Sequence, residues 1–273
     1  DSTNQFPLTA WLIPLLTGVA VLFCFLFPVS FAPYFVKLFI LWSPYHFSAQ
    51  TLGILLIYAR RSGIHVSPTT RSALLLFFVF SFLSQYAEAE RSLSTSFIYS
   101  IATPMLAVPA WTASACLAVA LAALCLATYK LAPQLLTQRS PPWIIALPIL
   151  TQLLWFVLSA HDYSFQVLVP FFHALQYLLI AWSVEIHRRA RRLSGSASER
   201  KIFWGSGGWL FLNVGLGALI FWLMPRLISK ATGYQLDFTF IIILAAVSIH
   251  HYFVDGVIWK LKREPGHSPL FVN

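Results

Sequence analysis

The stretch from Asp237 to Lys260 reads DFTFIIILAAVSIHHYFVDGVIWK and is apolar enough to cross a lipid bilayer as one helix. Inside it lie two adjacent histidines, His250 and His251, and one aspartate, Asp255. An ionisable side chain at that depth costs at least about 2.5 kcal/mol unless it is paired, ligated or hydrated. The stretch therefore predicts a membrane-spanning fold and a polar centre that relieves this cost.

The composition of the whole chain is that of an integral membrane protein. Of its 273 residues, 58% are hydrophobic and 10% are charged, whereas soluble domains carry about 25% charged residues. The apolar runs are roughly 20 residues long, which fits helices and not the shorter alternating strands of a membrane barrel. We predict an all-α fold, a polytopic transmembrane helical bundle that forms a single domain over residues 1–273.

Eight membrane spans are predicted from the apolar runs. The fourth run is too long for one straight helix and contains Pro104 and Pro109. Proline removes a backbone donor and breaks a helix, so we expect a short segment followed by a span from about Ala110. The predicted spans are 8–31, 35–59, 71–88, 97–129 (interrupted), 143–160, 164–187, 202–224 and 237–260.

The basic residues are distributed unevenly between the loops. The loops after spans two, four, six and eight hold 14 of the 18 lysines and arginines. By the positive-inside rule, both termini are cytoplasmic in a multi-pass protein of the cell inner (plasma) membrane. Because these charges lie in short loops and not on one folded face, the net charge of +9 does not indicate a nucleic-acid partner. The longest basic loop, Arg188 to Lys201, is expected to contact anionic membrane lipids.

Three predicted spans each carry histidine with a polar companion three to five residues later. Spacings of three or four place both groups on one helix face. In the last span, His251 is the histidine that shares a face with Asp255, four residues on. The sets are His46 with Gln50, His173 with Gln176, and His250 and His251 with Asp255.

These histidines are predicted to lie at one depth. Spans two, six and eight all run from the outer to the cytoplasmic face. At ~1.5 Å per residue, His46, His173 and His250 lie roughly 12–18 Å below the outer boundary, near the middle of a ~30 Å core. We therefore expect them to meet in one polar centre.

Several imidazoles with few carboxylates suit a borderline transition metal such as iron, copper or zinc. Amide and carboxylate groups next to the ligands would hold each ring in the ligating orientation. Nearby aromatic side chains would line a site for a lipid-soluble small-molecule substrate. The predicted metal ligands are His46, His173, His250 and His251; the orienting groups are Gln50, Gln176 and Asp255; the substrate-lining residues are Tyr45, Trp42 and Tyr252.

Other interpretations stay open from the residues alone. Each histidine taken singly fits a hydrogen-bonded packing residue. Two histidines on different spans fit a b-type haem in an electron-transfer protein. A proton-relay transporter needs repeats of inverted topology, which this sequence lacks. A non-catalytic subunit that binds pigment, with partner subunits in a larger membrane complex, is the remaining alternative.

Short elements around the histidines resemble motifs of the Brp/Blh family of membrane carotenoid dioxygenases. The elements are His46-Phe47 followed by Gln50, similar to His-Phe-Gly-x-x-Asp; Phe172-His173, similar to Phe-x-x-His; and Ile249-His250-His251 to Asp255, similar to Pro-His-x-x-x-x-Asp. The resemblance covers about thirty positions. It implies a polytopic helical fold with a histidine-bound non-haem iron and oxidative cleavage of beta-carotene, so iron is the favoured metal and a metal-dependent oxygenase the favoured activity.

Two departures from that family affect the ligand set. The early Pro-His-Gly-Ala element has no counterpart, because the first predicted span contains no histidine. The paired histidines of the third element become His173 with Gln176. The resemblance then implies that His251 substitutes for one iron ligand.

Overall fold

The computed structural model describes residues 8–91, 96–98, 100–138, 142–158, 163–192 and 199–258. Nearly all of these residues are helical, as predicted, and two short strands form an antiparallel hairpin. A π-helical turn, Leu8–Leu12, precedes the first α-helix, and another, Leu219–Leu223, connects the helices Glu199–Ala218 and Met224–Thr232. The elements are α1 Ile13–Leu26, α2 Ala32–Arg61, α3 Pro68–Ala89, β1 Ser96–Ile98, β2 Ile101–Thr103, α4 Trp111–Leu136, α5 Ala146–Leu153, α6 Tyr163–Arg192, α7 Glu199–Ala218, α8 Met224–Thr232 and α9 Leu236–Ile258.

Six helices in the described ranges are long and apolar enough to cross a membrane. They coincide with predicted spans one, three, four, six, seven and eight. Predicted span two forms α2, which has 30 residues but carries a polar run from Ser43 to Gln50 in its middle. Predicted span five forms the shorter apolar segment Trp143–Leu158. The six segments are Leu8–Leu26, Pro68–Ala89, Trp111–Leu136, Val169–Ala190, Arg200–Thr232 and Leu236–Gly256.

The interrupted fourth run has the break that its prolines predicted. Helix α4 begins at Trp111, next to the expected Ala110. The short segment before it is the β-hairpin, which the sequence did not predict. Buried Glu90, at the end of α3, fixes the chain between hairpin and helix, because its Oε2 accepts from the backbone N–H of Leu106 at 3.0 Å and its carbonyl accepts from that of Val108 at 3.0 Å.

The described helices belong to two compact units. The first comprises Asp1–Ile40, Ser96–Pro104 and Ala174–Asn273, and the second comprises Leu41–Thr95 and Met105–His173. Helices α2 and α6 contribute residues to both. In the first unit, α9 packs against α1, and the Tyr234 hydroxyl donates to the Phe25 carbonyl at 2.8 Å.

The second unit is built on the packing of α3 against α4. Large side chains of α3, among them Phe77 and Phe78, are fully buried. The facing surface of α4 presents alanines, including Ala120 and Ala127. Small residues let two helices approach closely inside a membrane, where van der Waals contact drives association. The pairing of large and small residues therefore explains the close contact of α3 and α4.

A polar network lies inside the second unit. The Gln152 side chain of α5 is fully buried, and its Nε2 lies 2.9 Å from Ser48 Oγ on α2 and 2.7 Å from Ser81 Oγ on α3. The same nitrogen donates to the Phe78 carbonyl at 3.0 Å. A buried amide without partners is costly, so each bond favours this arrangement. Gln152 therefore ties three helices together at one level.

Replacing Gln152 by leucine should destabilise the second unit. The change keeps most of the volume but removes the donor that Ser48 and the Phe78 carbonyl share. A loss of about 1–3 kcal/mol in the free energy of unfolding is expected, measured by thermal unfolding in detergent. Thr151→Ala is the matched control, because the Thr151 hydroxyl bonds only within its own helix, to Leu147. Equal stability of the two variants would contradict a tertiary role for Gln152.

Candidate metal centre

His46 of α2 and His173 of α6 lie together in the second unit. Both are buried, with 7% and 5% of their surface exposed. Their ring centroids are 5.1 Å apart at an interplanar angle of 74°. One ring nitrogen of each lies within 4.8 Å of the other. The structure thus brings together two of the predicted ligands, from helices that are far apart in the sequence.

An aromatic side chain, Phe47, lies next to this pair. The ring of Phe47 lies 4.3 Å from that of His173, centroid to centroid. Phe47 belongs to a buried cluster of the second unit that also contains Phe82, Trp155, Phe156 and Val169. Apolar surroundings of this kind exclude water and strengthen electrostatic interactions inside them. The two imidazoles are therefore held in an apolar, aromatic environment.

Each of the two histidines follows a proline inside its helix. Pro44 precedes His46 by two residues in α2, and Pro170 precedes His173 by three in α6. Proline removes one backbone hydrogen bond and bends the helix at that point. Pro44 and Pro170 were not predicted to mark the site, although both are visible in the sequence.

His251 of α9 and its companions lie in the first unit. Its Nε2 is 3.4 Å from Oδ2 of the buried Asp255. Its ring centroid is 5.1 Å from that of Tyr177 on α6, with the rings nearly perpendicular. The spacing of four residues had placed His251 on the face of Asp255, and the structure has this contact. The neighbouring His250 is half-buried.

The other predicted site residues have different surroundings. Gln50 is half-buried, and its amide oxygen has no hydrogen-bond partner within the described ranges. Tyr45 is 52% exposed, and its ring contacts Phe82. Tyr252 is buried next to His251, and Trp42 is half-buried. The side chain of Gln176 lies outside the part of the chain that the structure describes.

Glu185, near the end of α6, is separated from His173 by 12 residues. This spacing corresponds to about 18 Å along the helix. Its carboxylate accepts hydrogen bonds from Arg188 and Arg189. Its oxygens are therefore bonded to arginines, far along the helix from His173.

Comparison of the chain with protein-family models, with curated proteins and with solved structures gives no match. The resemblance to the Brp/Blh family therefore stays a prediction from short motifs. The assignment of a function rests on the residues themselves.

Proposed function

We propose that this chain is a membrane protein that binds a transition-metal ion through buried histidines and uses it to oxidise a lipid-soluble substrate. The observation that carries the proposal is the contact of buried His46 with buried His173, next to Phe47. Imidazole suits iron, copper and zinc. Iron is the favoured metal because of the motif resemblance.

The geometry of the pair fits a shared ion. Metal–nitrogen bonds of about 2.1 Å require the two ligating nitrogens to lie within about 4.2 Å. The nitrogens of His46 and His173 lie within 4.8 Å of one another, so a small side-chain rotation suffices. Both rings come from regular helices, which hold ligands more firmly than loops do.

We also propose His251 of α9 as a ligand, as the sequence predicts. Within the first unit, its ring contacts Tyr177. Asp255 faces Nε2 of His251, which leaves Nδ1 for the metal, an arrangement common around metal-bound histidines. His250 is the alternative ligand, about 100° further round α9.

The pair geometry favours a bare ion over a b-type haem between these two histidines. A haem iron held by both rings would separate their centroids by about 6.4 Å, with the macrocycle between them. The centroids of His46 and His173 are 5.1 Å apart. A haem in this position would require the two rings to move apart.

The aromatic cluster around Phe47 favours an apolar substrate. A bound redox metal supplies Lewis-acid or oxygen-activating chemistry. Phe47, Phe82 and Trp155 would exclude water and stack against a flat or conjugated apolar molecule. Tyr45, half exposed and in contact with Phe82, would be the first of these side chains to meet a molecule arriving from the bilayer. A carotenoid satisfies these requirements.

We also propose a membrane topology with eight spans. In it, α2 and the segment Trp143–Leu158 cross the bilayer together with the six longer apolar helices, which gives eight spans. The excess of basic residues in alternate loops then places both termini in the cytoplasm. The membrane is the inner (plasma) membrane.

Replacing His46 or His173 by alanine should remove the metal. Each change deletes one nitrogen ligand, so metal retained by protein purified in detergent should fall more than about tenfold. Elemental analysis with an absorbance spectrum measures the loss, and a Soret band in the wild type would identify haem instead. His251→Ala tests the third ligand in the same way.

His65→Ala is the matched control for metal content. His65 is exposed, and its backbone N–H and C=O, not its ring, are bonded to Gln134. This variant should keep the wild-type metal content. Less than about a tenth of an equivalent of any transition metal in the wild type, or equal content in His173→Ala, would contradict the proposed function.

The topology can be tested with cysteines introduced at Asp162 and Ser196, in a background where Cys24, Cys116 and Cys125 are replaced by alanine. An impermeant maleimide should label Asp162→Cys in intact cells and Ser196→Cys only after permeabilisation, since the positive-inside rule places the basic loop in the cytoplasm. The opposite labelling pattern would reverse the proposed orientation. Labelling of both sites in intact cells would contradict the span count.

A further inference from the structure

A compact charged cluster lies in the first unit at the end of α6. The carboxylate of Glu185, with its side chain only 6% exposed, accepts from Nε and Nη2 of Arg188 at 2.7 Å and 3.0 Å. It also accepts from Nε of Arg189 at 2.6 Å. The two arginine side chains are 47% and 35% exposed. One buried acid thus holds two partly exposed guanidinium groups in a fixed arrangement.

The cluster keeps both positive charge and hydrogen-bonding capacity. Two guanidiniums and one carboxylate carry a net charge of +1. Each guanidinium has five N–H donors, and Glu185 occupies only three donor atoms of the two arginines. The remaining donors suit an anion with several oxygens, and guanidinium matches phosphate in geometry.

Helix α7 provides the space that the guanidinium of Arg189 occupies, because Gly205 has no side chain. Nη1 of Arg189 lies where a side chain at Gly205 would begin, 2.8 Å from the position of a Cβ atom there. Trp182 of α6 and Phe203 of α7 are in ring contact close by, with centroids 5.7 Å apart. The absence of a side chain at Gly205 therefore lets the guanidinium of Arg189 reach α7.

We propose that Glu185, Arg188, Arg189 and Gly205 form a binding site for the phosphate of an anionic phospholipid headgroup. The cluster lies in the last turns of the apolar segment Val169–Ala190, where a membrane helix would meet the headgroups. Trp204 of α7 is 68% exposed, and tryptophan is enriched at this interface. Phe203, which is 52% exposed, adds apolar surface on the same helix. These apolar neighbours favour a lipid over a soluble phosphate.

The proposed site depends on the fixed positions of its two guanidinium groups and not only on their charge. In a diffuse attraction, each basic residue near the surface contributes independently of its geometry. Here the buried carboxylate aligns both guanidiniums before the lipid arrives, which lowers the ordering cost of binding. Only an organised site should lose lipid affinity when a substitution changes its geometry but not its charge. Neutralising Glu185 should raise lipid affinity if the attraction is diffuse and lower it if the site is organised.

Gly205→Ala is the charge-neutral test. The added methyl group displaces the guanidinium of Arg189, so the preference for phosphatidylglycerol over phosphatidylcholine should fall about fivefold, the contribution of one arginine. Native mass spectrometry of the full-length protein, titrated with the two lipids in neutral detergent, measures this ratio. Gly207→Ala is the matched control, because nothing lies within 4 Å of a Cβ atom at Gly207. Equal ratios in the two variants would overturn the proposal.

Glu185→Gln tests whether affinity for phosphatidylglycerol rises or falls. It removes a negative charge, so diffuse attraction predicts tighter binding of phosphatidylglycerol, whereas an organised site predicts weaker binding. Arg188→Gln should weaken binding more than Arg200→Gln, which removes the same charge from an exposed residue at the start of α7. Excess inorganic phosphate should not displace the lipid. Tighter binding by Glu185→Gln, displacement by phosphate, or a wild type without headgroup preference would each refute the lipid site.

Unchanged thermal stability and metal content in these variants separate the lipid site from the metal centre. None of these variants alters a residue proposed as a metal ligand. Loss of the lipid preference with full metal content supports this site alone. Loss of metal in His173→Ala with wild-type lipid preference leaves the lipid site intact.

Discussion

The constraint on which this structure depends is the free-energy cost of placing polar groups in an apolar interior. A buried amide or carboxylate without a partner costs several kcal/mol, and the penalty is larger where no water can reach it. The second unit lowers this cost at Gln152, whose Nε2 lies within hydrogen-bond distance of two serine hydroxyls and one carbonyl. Glu90 meets it through the backbone N–H of Leu106. Every such contact also fixes the relative position of the segments it joins.

The histidines obey the same constraint in a different way. A group that two or more buried imidazoles share lowers the free-energy cost of burial for each of them, and a metal ion is the smallest such group. His46 and His173 stand just after the intrahelical prolines Pro44 and Pro170. Each helix therefore lacks one backbone hydrogen-bond donor close to the two rings.

Helix α6 links the proposed functions. Its middle carries His173 and Tyr177, and its end carries Glu185 with the two arginines. The proposed metal centre would suit a substrate that dissolves in the membrane. The proposed headgroup site would anchor the end of the same helix at the membrane surface. The two proposals therefore place different demands on one helix: the metal centre must exclude water, and the end of the helix must be charged.

Local sequence patterns were sufficient to predict the apolar helical class, most helix boundaries, the break before Trp111 and the face that His251 shares with Asp255. These follow from local rules: apolar length, proline chemistry and helical periodicity. The sequence also named His46 and His173. The contact between their rings and the hairpin before α4 became visible in the folded chain and not before. The same is true of the hydrogen bonds of Gln152 and of the close approach of Arg189 to Gly205. Those features depend on contacts between residues far apart in the chain, whose partners no local pattern specifies.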